Sequence, residues 1–270
     1  MRQEMTRFSA GAVLLMMAIF VTGCASSLYG WQVRTSSMPM PPSFQPAFLE
    51  QHTVALFGAI APPALRGSEV ALSYALNQIL QKVSPTWKVM SPQELTKRIN
   101  RQGLAGEYTK MRADFEISHI LDGGMLRKIA SALGVRYVFQ PHLAAFSQTM
   151  TDRWKFPPID LRMMQTRSSN MRISLQLWDT ETGEIVWASI GETTMQNEAV
   201  SQDPVYFEDI SRATLGSMVE DFKLRKTAST YTPVNKFLND LIEESVPPEK
   251  PDQQSVKEPA KIIETDKKAE

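Results

Sequence analysis

Hydrophobic and polar positions along the middle of the chain follow the two periods that distinguish strands from helices. Residues 53–60 form a nearly continuous run of apolar strand formers, which is typical of a strand covered on both faces. Residues 171–178 instead place an apolar side chain at every second position, and residues 185–190 return after a turn that contains Gly183. Alternation on both sides of such a turn predicts a β-hairpin.

Apolar residues at helical spacing predict helices before and after these strands, beginning with the stripe in residues 68–83. Residues 91–94 are Ser-Pro-Gln-Glu, which is the pattern of a capping box. Asp122 and Gly134 are placed to begin and end another helix, and residues 203–222 predict one after the hairpin. The predicted fold class is therefore α/β, a single mixed β-sheet packed with helices that contains a C-terminal β-hairpin followed by a helix.

Segments without this periodicity flank the predicted domain, which we assign to residues 52–226. Residues 24–51 are rich in serine and proline and predict a flexible linker. Residues 227–243 contain a short amphipathic helix, and residues 244–270 are so polar that we expect them to be disordered. The apolar face of the short helix consists of Val234, Phe237, Leu238, Leu241 and Ile242.

The first 23 residues have the layout of an export signal. Arg2 and Arg7 precede an uncharged apolar run at 8–21, which is shorter than the roughly 20 residues that a membrane-spanning helix needs. Gly23 then precedes Cys24, the only cysteine of the 270 residues. This layout predicts a signal peptide of residues 1–23, with cleavage between Gly23 and Cys24.

The segment Val21-Thr22-Gly23-Cys24 resembles the lipobox of bacterial lipoproteins. The resemblance implies a covalent lipid at Cys24, diacylglycerol and palmitate, and no other cofactor. In lipoproteins of bacteria with two membranes, aspartate after the cysteine favours the inner membrane, so Ala25 implies an outer-membrane anchor that faces the periplasm. The alternative is an uncleaved anchor helix that ends in an ordinary buried cysteine.

Composition argues against several classes of function. The chain has 29 basic and 29 acidic residues, so no overall field attracts nucleic acid. His52, His119 and His142 lack the spacing of zinc ligands, and we expect each to be solvated or hydrogen bonded in the fold. The chain also lacks the Gly-x-Ser-x-Gly pattern of a serine nucleophile. We therefore predict no catalytic residue and no metal site.

The strand at 53–60, the helix after it, the junction at 133–138 and the Leu-x-Leu-Trp-Asp…Thr-Gly-Glu-Ile-Val-Trp hairpin with its closing helix follow one another in a familiar order. That order resembles the periplasmic α/β module of CsgG-type curli secretion lipoproteins, LpoB-type activators of penicillin-binding proteins and the TolB N-terminal domain. The resemblance covers about 52–226 and implies a non-enzymatic scaffold that binds protein partners. The polar connection at 147–170 is broken by Pro157-Pro158 and has room for one spanning hairpin at best, so we expect no pore from this chain alone.

The sequence thus predicts a membrane-anchored envelope adaptor or activator that works through protein–protein contacts. The connection at 147–170 carries Trp154 and Phe156, which could anchor a partner or fold over an edge of the core. The helix at 234–242 could lie in a partner's groove or pack on its own domain. Two other functions stay open, namely a subunit of a secretion or channel assembly and a small-ligand binder or hydrolase.

Overall fold

A computed structural model of the chain describes residues 28–156, 161–199 and 205–227. The strands are β1 (Leu28–Ser37), β2 (Thr53–Leu56), β3 (Lys88–Met90), β4 (Tyr137–Phe156), β5 (Leu161–Asp179) and β6 (Glu184–Ala199). The helices are α1 (Phe48–Gln51), α2 (Ser68–Val83), α3 (Pro92–Arg101), α4 (Ala105–Ser118), α5 (Gly123–Leu133) and α6 (Phe207–Leu224). Among these residues, no helix is both long and apolar enough to cross a membrane.

The six strands form one mixed sheet in the order β1-β6-β5-β4-β2-β3. The short strand β2 runs parallel to both β3 and β4, whereas β4, β5, β6 and β1 pair antiparallel with one another. The hairpin β5–β6 is followed by α6. The predicted fold class is therefore confirmed.

Helices cover the two faces of the sheet to different extents. On one face, α2 and α6 bury Leu76 and Phe222 against Leu56, Phe139 and other residues of the sheet. On the opposite face, α3, α4 and α5 pack over the end of the sheet that contains β2 and β3. Because β2 is covered on both faces, its sequence is apolar without alternation. The long antiparallel strands continue beyond this doubly covered end.

For residues 28–37, β1 corrects the prediction of a flexible linker at 24–51. It pairs with β6 along all ten of its residues. Val33, Thr35 and Ser37 are buried and the residues between them are exposed, which is the period of a half-buried strand. Serine and threonine are tolerated on the buried face because they bond across it, as Ser37 Oγ does to Ser189 Oγ at 2.9 Å. Residues 28–37 are therefore part of the sheet and not of a flexible linker.

The polar connection predicted at 147–170 is also wrong where the structure describes it. β4 and β5 continue as an antiparallel pair from Ser147 opposite Asn170 to Phe156 opposite Leu161. β6 pairs with β5 only as far as Gln165, so the part beyond this residue is two-stranded. Residues 147–153 and 165–170 lack the alternation of apolar and polar residues that predicts a strand, so their sequence resembles that of a loop. We call residues 152–156 and 161–165, at the end of this hairpin, the arm tip.

Candidate functional site

The face of the antiparallel strands opposite α6 forms a broad exposed surface. In β5, Met171 and Ile173 are buried toward α6, while Asn170 and Arg172 alternate with them and are exposed. Cross-strand neighbours point to the same side of a sheet, so β6 and β1 extend this surface. We call it the open face, and its central residues are Asn170, Arg172, Ser174, Ile190, Glu192, Thr194, Gln32, Arg34 and Ser36.

Polar side chains on the open face are paired in rows across the strands. Arg172 donates to Glu192 Oε1 through Nε at 2.7 Å and also through Nη2. Arg34 lies opposite Glu192 on the other side, so the carboxylate stands between two basic residues in the register. In the next row, Thr194 Oγ1 donates to Asn170 Oδ1 at 2.9 Å. These contacts order the surface groups before any partner arrives.

An apolar residue, Ile190, lies beside these polar rows. Its side chain is 48% exposed, although it stands in the middle of β6 between Ser174 of β5 and Ser36 of β1. A surface with an exposed apolar centre and ordered charged groups around it can recognise another macromolecule. Hydrogen bonds and charge complementarity would supply the specificity.

His119 and His142 meet at the border between α4 and the open face. Their ring centroids are 5.0 Å apart, and His142 Nδ1 lies 3.4 Å from Ser174 Oγ. Burial lowers the pKa of His142 and the nearby His119 lowers it further, while Glu116 acts in the opposite direction. Two residues on a helix end and a strand cannot be recognised as neighbours from sequence spacing, so the sequence analysis missed this pair.

The helix–strand junction and the hairpin turn that carried the family resemblance are in direct contact. The guanidinium of Arg136 binds Asp179, and that hydrogen bond raises the pKa of Arg136. Thr180 Oγ1 donates to the carbonyl of Arg136 at 2.9 Å, and Thr180 N donates to the same oxygen. These contacts fix the start of β4 to the end of β5. The two motifs are therefore parts of one structural connection.

An open cleft of about 450 Å³ lies at the carboxyl ends of β2 and β3. It is the candidate site for the alternative function of a small-ligand binder. Arg112 and Glu69 are among its lining residues. Arg112 Nη2 donates to the carbonyl of Ala59 at 2.8 Å, and Glu69 accepts from the backbone of Gly67 at 2.6 Å. Both side chains therefore already bind the loop that follows β2.

The structure describes only some of the predicted site residues. Trp154 and Phe156 lie in β4 opposite Met164 and Leu161, within the arm tip and not in a loop. Gly23 and Cys24 lie outside the described residues, and so does the predicted helix with Val234, Phe237, Leu238, Leu241 and Ile242. Within the described part of the chain, no group of three or more His, Cys, Asp or Glu could hold a metal ion.

Comparisons with known proteins found similarity in structure only. No family model matches the chain, and no curated protein matches it. PelC from Paraburkholderia phytofirmans, described as a dodecamer, is 9% identical with a TM-score of 0.40, and the alignment covers 71% of this chain and 97% of PelC. The LpoB C-terminal domain from Escherichia coli is 14% identical with a TM-score of 0.34 over 52% of this chain and 81% of that domain. Lipoprotein GNA1162 from Neisseria meningitidis is 12% identical with a TM-score of 0.38 over 62% of this chain and 92% of GNA1162.

Proposed function

We propose that this chain is an outer-membrane lipoprotein, anchored through Cys24 and facing the periplasm, that acts as a non-enzymatic adaptor or activator by binding another envelope protein. The observation that supports the proposal best is the open face, with its ordered polar rows and the exposed Ile190. An antiparallel sheet often leaves one face to water. The arrangement of the groups on this face, and not its exposure, is what supports the proposal.

The arrangement matches what a protein interface requires. Arginine is enriched at interfaces, and a side chain such as Arg172, already bonded to Glu192, has less freedom to lose on binding. The sheet beneath is held by the buried residues Ile173 and Leu175, so the face is presented on a rigid support. Charges of both signs within one row favour a partner with the complementary arrangement over a merely acidic or basic one.

The anchor is tested by labelling cells with a radioactive or clickable fatty acid. Wild-type protein should carry the label and Cys24→Ala should not, because acylation needs the thiol. Each buried methylene contributes about 0.8 kcal/mol, so several acyl chains should also keep the wild type in the membrane fraction. A Cys24→Ala protein that retains the label would contradict lipidation at this residue.

The partner is tested by placing a photo-crosslinking amino acid at Ile190 of the full chain in its own cells. Ile117, on α4 and 86% exposed, is the matched control because it is the same residue type on the helical side. We expect a protein adduct from position 190 and none from position 117. Adducts from position 117 alone would move the contact to the helices and contradict the role of the open face.

The mass of the adduct separates the proposed function from its alternatives. An adduct with a different envelope protein supports an adaptor or activator. An adduct of two copies of this chain would instead support the subunit of a secretion or channel assembly. A position 190 that gives no adduct while the cleft near Arg112 binds a small ligand would favour the ligand binder.

A further inference from the structure

A cavity of about 390 Å³ lies at the end of the sheet opposite the arm tip, where β5 turns into β6. Asp179, Glu184 and Val186 contribute to its lining from these two strands. Phe44 and Phe48 contribute from the part of the chain that precedes β2. Sites for small molecules have volumes of about 300–1,000 Å³, so the cavity is large enough to hold an organic molecule of modest size.

Tyr137, at the start of β4, lines this cavity and has a hydroxyl group without a hydrogen bond. The residue is 3% exposed, and no residue that the structure describes bonds its hydroxyl. Burial raises the pKa of Tyr137, so the group stays neutral near pH 7. Buried tyrosine hydroxyls usually have a partner, because an unpaired polar group away from water is costly. A ligand in the cavity would supply the missing partner.

The aromatic side chains of the lining are held in place by one another. Phe44 is buried, and its ring centroid lies 5.5 Å from that of Tyr137 and 6.1 Å from that of Phe48, with both pairs edge to face. Phe44 also lies 6.2 Å from Phe222 of α6, which connects the lining to the core of the domain. An apolar group can therefore pack against these rings without first ordering them.

The charges around the cavity favour a positively charged ligand. Its lining contains one basic side chain, Arg136, and two carboxylates, Asp179 and Glu184, so with histidine counted as neutral its formal charge is −1. Asp179 and Glu181 form ion pairs with Arg136 at 3.0 and 2.6 Å, so the positive charge is already balanced. Within the described part of the chain, Glu184 has no such partner. Its carboxylate is available to a cation, which aromatic rings attract as well.

We infer that this cavity binds a small organic cation, a protonated amine attached to an apolar or aromatic body. The ammonium group donates hydrogen bonds to the Tyr137 hydroxyl and the Glu184 carboxylate, and the apolar body packs against Phe44 and Phe48. Phe44 and Tyr137 belong to the buried cluster that includes residues of α6, and the open face is on the opposite side of the sheet. The inference therefore depends neither on the lipid anchor nor on the surface proposed for a protein partner.

The test titrates the full chain, purified from its own cells, with three probes in a calorimeter near pH 7, with a titration into buffer and detergent as the blank. Phenethylamine, phenethyl alcohol and phenylpropionate carry a positive, a neutral and a negative group on a similar aromatic body. We expect phenethylamine to bind at least about ten-fold more tightly than the alcohol and phenylpropionate not to bind, because only the amine complements the charge of the lining. Equal or tighter binding of the alcohol or the acid would overturn the inference, and so would the absence of binding by all three.

Tyr137→Phe tests the unpaired hydroxyl. This change removes a group without a partner, so the free energy of unfolding in urea should not fall, whereas the affinity for phenethylamine should fall about three- to ten-fold. Tyr74→Phe is the matched control, since Tyr74 is 52% exposed on α2 and lies outside the cavity lining, and it should change neither quantity. A Tyr137→Phe protein that loses stability and keeps its affinity would show that the hydroxyl is structural and overturn its role in binding.

Glu184→Gln tests the charge and serves even if Tyr137→Phe does not fold. Glu184 is exposed, so the substitution should leave the fold intact. The affinity for phenethylamine should fall about two- to five-fold, as expected for an exposed ion pair, and the affinity for phenethyl alcohol should stay the same. Equal changes for the two probes would overturn the assignment of the ligand as a cation.

Discussion

Arg136 and Asp179 are joined by two hydrogen bonds, from Nε to Oδ1 at 3.1 Å and from Nη2 to Oδ2 at 3.0 Å. The Asp179 side chain is 9% exposed and that of Arg136 is 28% exposed. Oδ1 also accepts a hydrogen bond from the backbone of Glu181 at 2.9 Å. The pair therefore joins β4, β5 and the hairpin turn at one point.

Replacing Asp179 with asparagine should destabilise the domain, because the Arg136 guanidinium would lose the less exposed of its two carboxylate partners. We expect the free energy of unfolding to fall by about 1–3 kcal/mol in urea titrations. Glu181→Gln is the control, since Glu181 binds Arg136 from an exposed position and should matter by less than about 1 kcal/mol. If the two variants lose the same free energy of unfolding, the hydrogen bonds of Asp179 to Arg136 and to the backbone of Glu181 stabilise the domain no more than an exposed ion pair does.

Gly191 allows α6 to approach β6 closely, and adding a methyl group there should be costly. A Cβ at this position would lie 2.6 Å from Met218 Sδ and 2.7 Å from Thr214 Cγ2. The methionine can move, but the β-branched threonine has little freedom, so Gly191→Ala should lose about 1–3 kcal/mol of stability.

The control for this substitution is Gly106→Ala in α4, where nothing lies within 4 Å of the added methyl group. Alanine is the better helix former, so this variant should be unchanged or more stable by up to about 1 kcal/mol. Thermal unfolding followed by circular dichroism measures both. A Gly191→Ala protein as stable as the wild type would mean that α6 moves away from the sheet at no cost.

The histidine pair predicts a loss of stability in acid. Because burial holds the pKa of His142 below its usual value, the unfolded chain binds a proton at this residue more readily than the folded chain does. Stability should be unaffected well above the unfolded pKa of about 6.5 and should fall as the pH decreases below it. The groups that face His142 are Glu116 of α4, His119 directly after that helix, and Ser174 of β5.

The measurement compares urea unfolding of wild type and His142→Gln at several values between about pH 7.5 and pH 5. The variant should show a weaker pH dependence, because the residue that resists protonation is gone. Carboxylates titrate in both proteins, so only the difference between the two curves reports on His142. Identical curves would contradict the prediction.

Removing the cap of α3 should cost stability. Ser91 Oγ accepts a hydrogen bond from the backbone of Glu94 at 3.3 Å, so Ser91→Ala should lose about 0.5–2 kcal/mol. Ser91→Asp keeps an acceptor at the cap and should retain most of the stability in the same urea titration. If both variants lose the same free energy of unfolding, Ser91 stabilises the domain through something other than its capping hydrogen bond.

Structural features that depend on residues close together in the sequence, such as helix ends, were predicted well. Asp122 Oδ1 accepts from Met125 N at 2.7 Å, and Gly134 ends the helix with φ of 67°. The capping box at 91–94 is confirmed in one half only, because the Glu94 side chain bonds Arg98 instead of the cap. Arg98, the competing partner, is exposed and lies one turn further along the helix. The sequence pattern does not show whether the Glu94 side chain binds the cap or Arg98.

Relationships between distant residues were not predictable in this way. β1 pairs with β6, which follows it by well over a hundred residues, and its serines and threonines concealed the strand period. The pairing of His119 with His142 likewise depends on how α4 packs against β4. Residues 147–153 and 165–170 show no alternation of apolar and polar residues, so hydrophobic periodicity gave no strand signal there.

The direction of β1 determines how the domain would withstand mechanical load. A force that pulls Leu28 along the strand toward the tip acts on all ten pairs between β1 and β6 in shear, so no pair can open before the others. Attachment at Ser37, with the force still directed toward the tip, would instead let the pairs separate one after another. The domain therefore resists a pull toward the tip better when the tether is at Leu28 than when it is at Ser37.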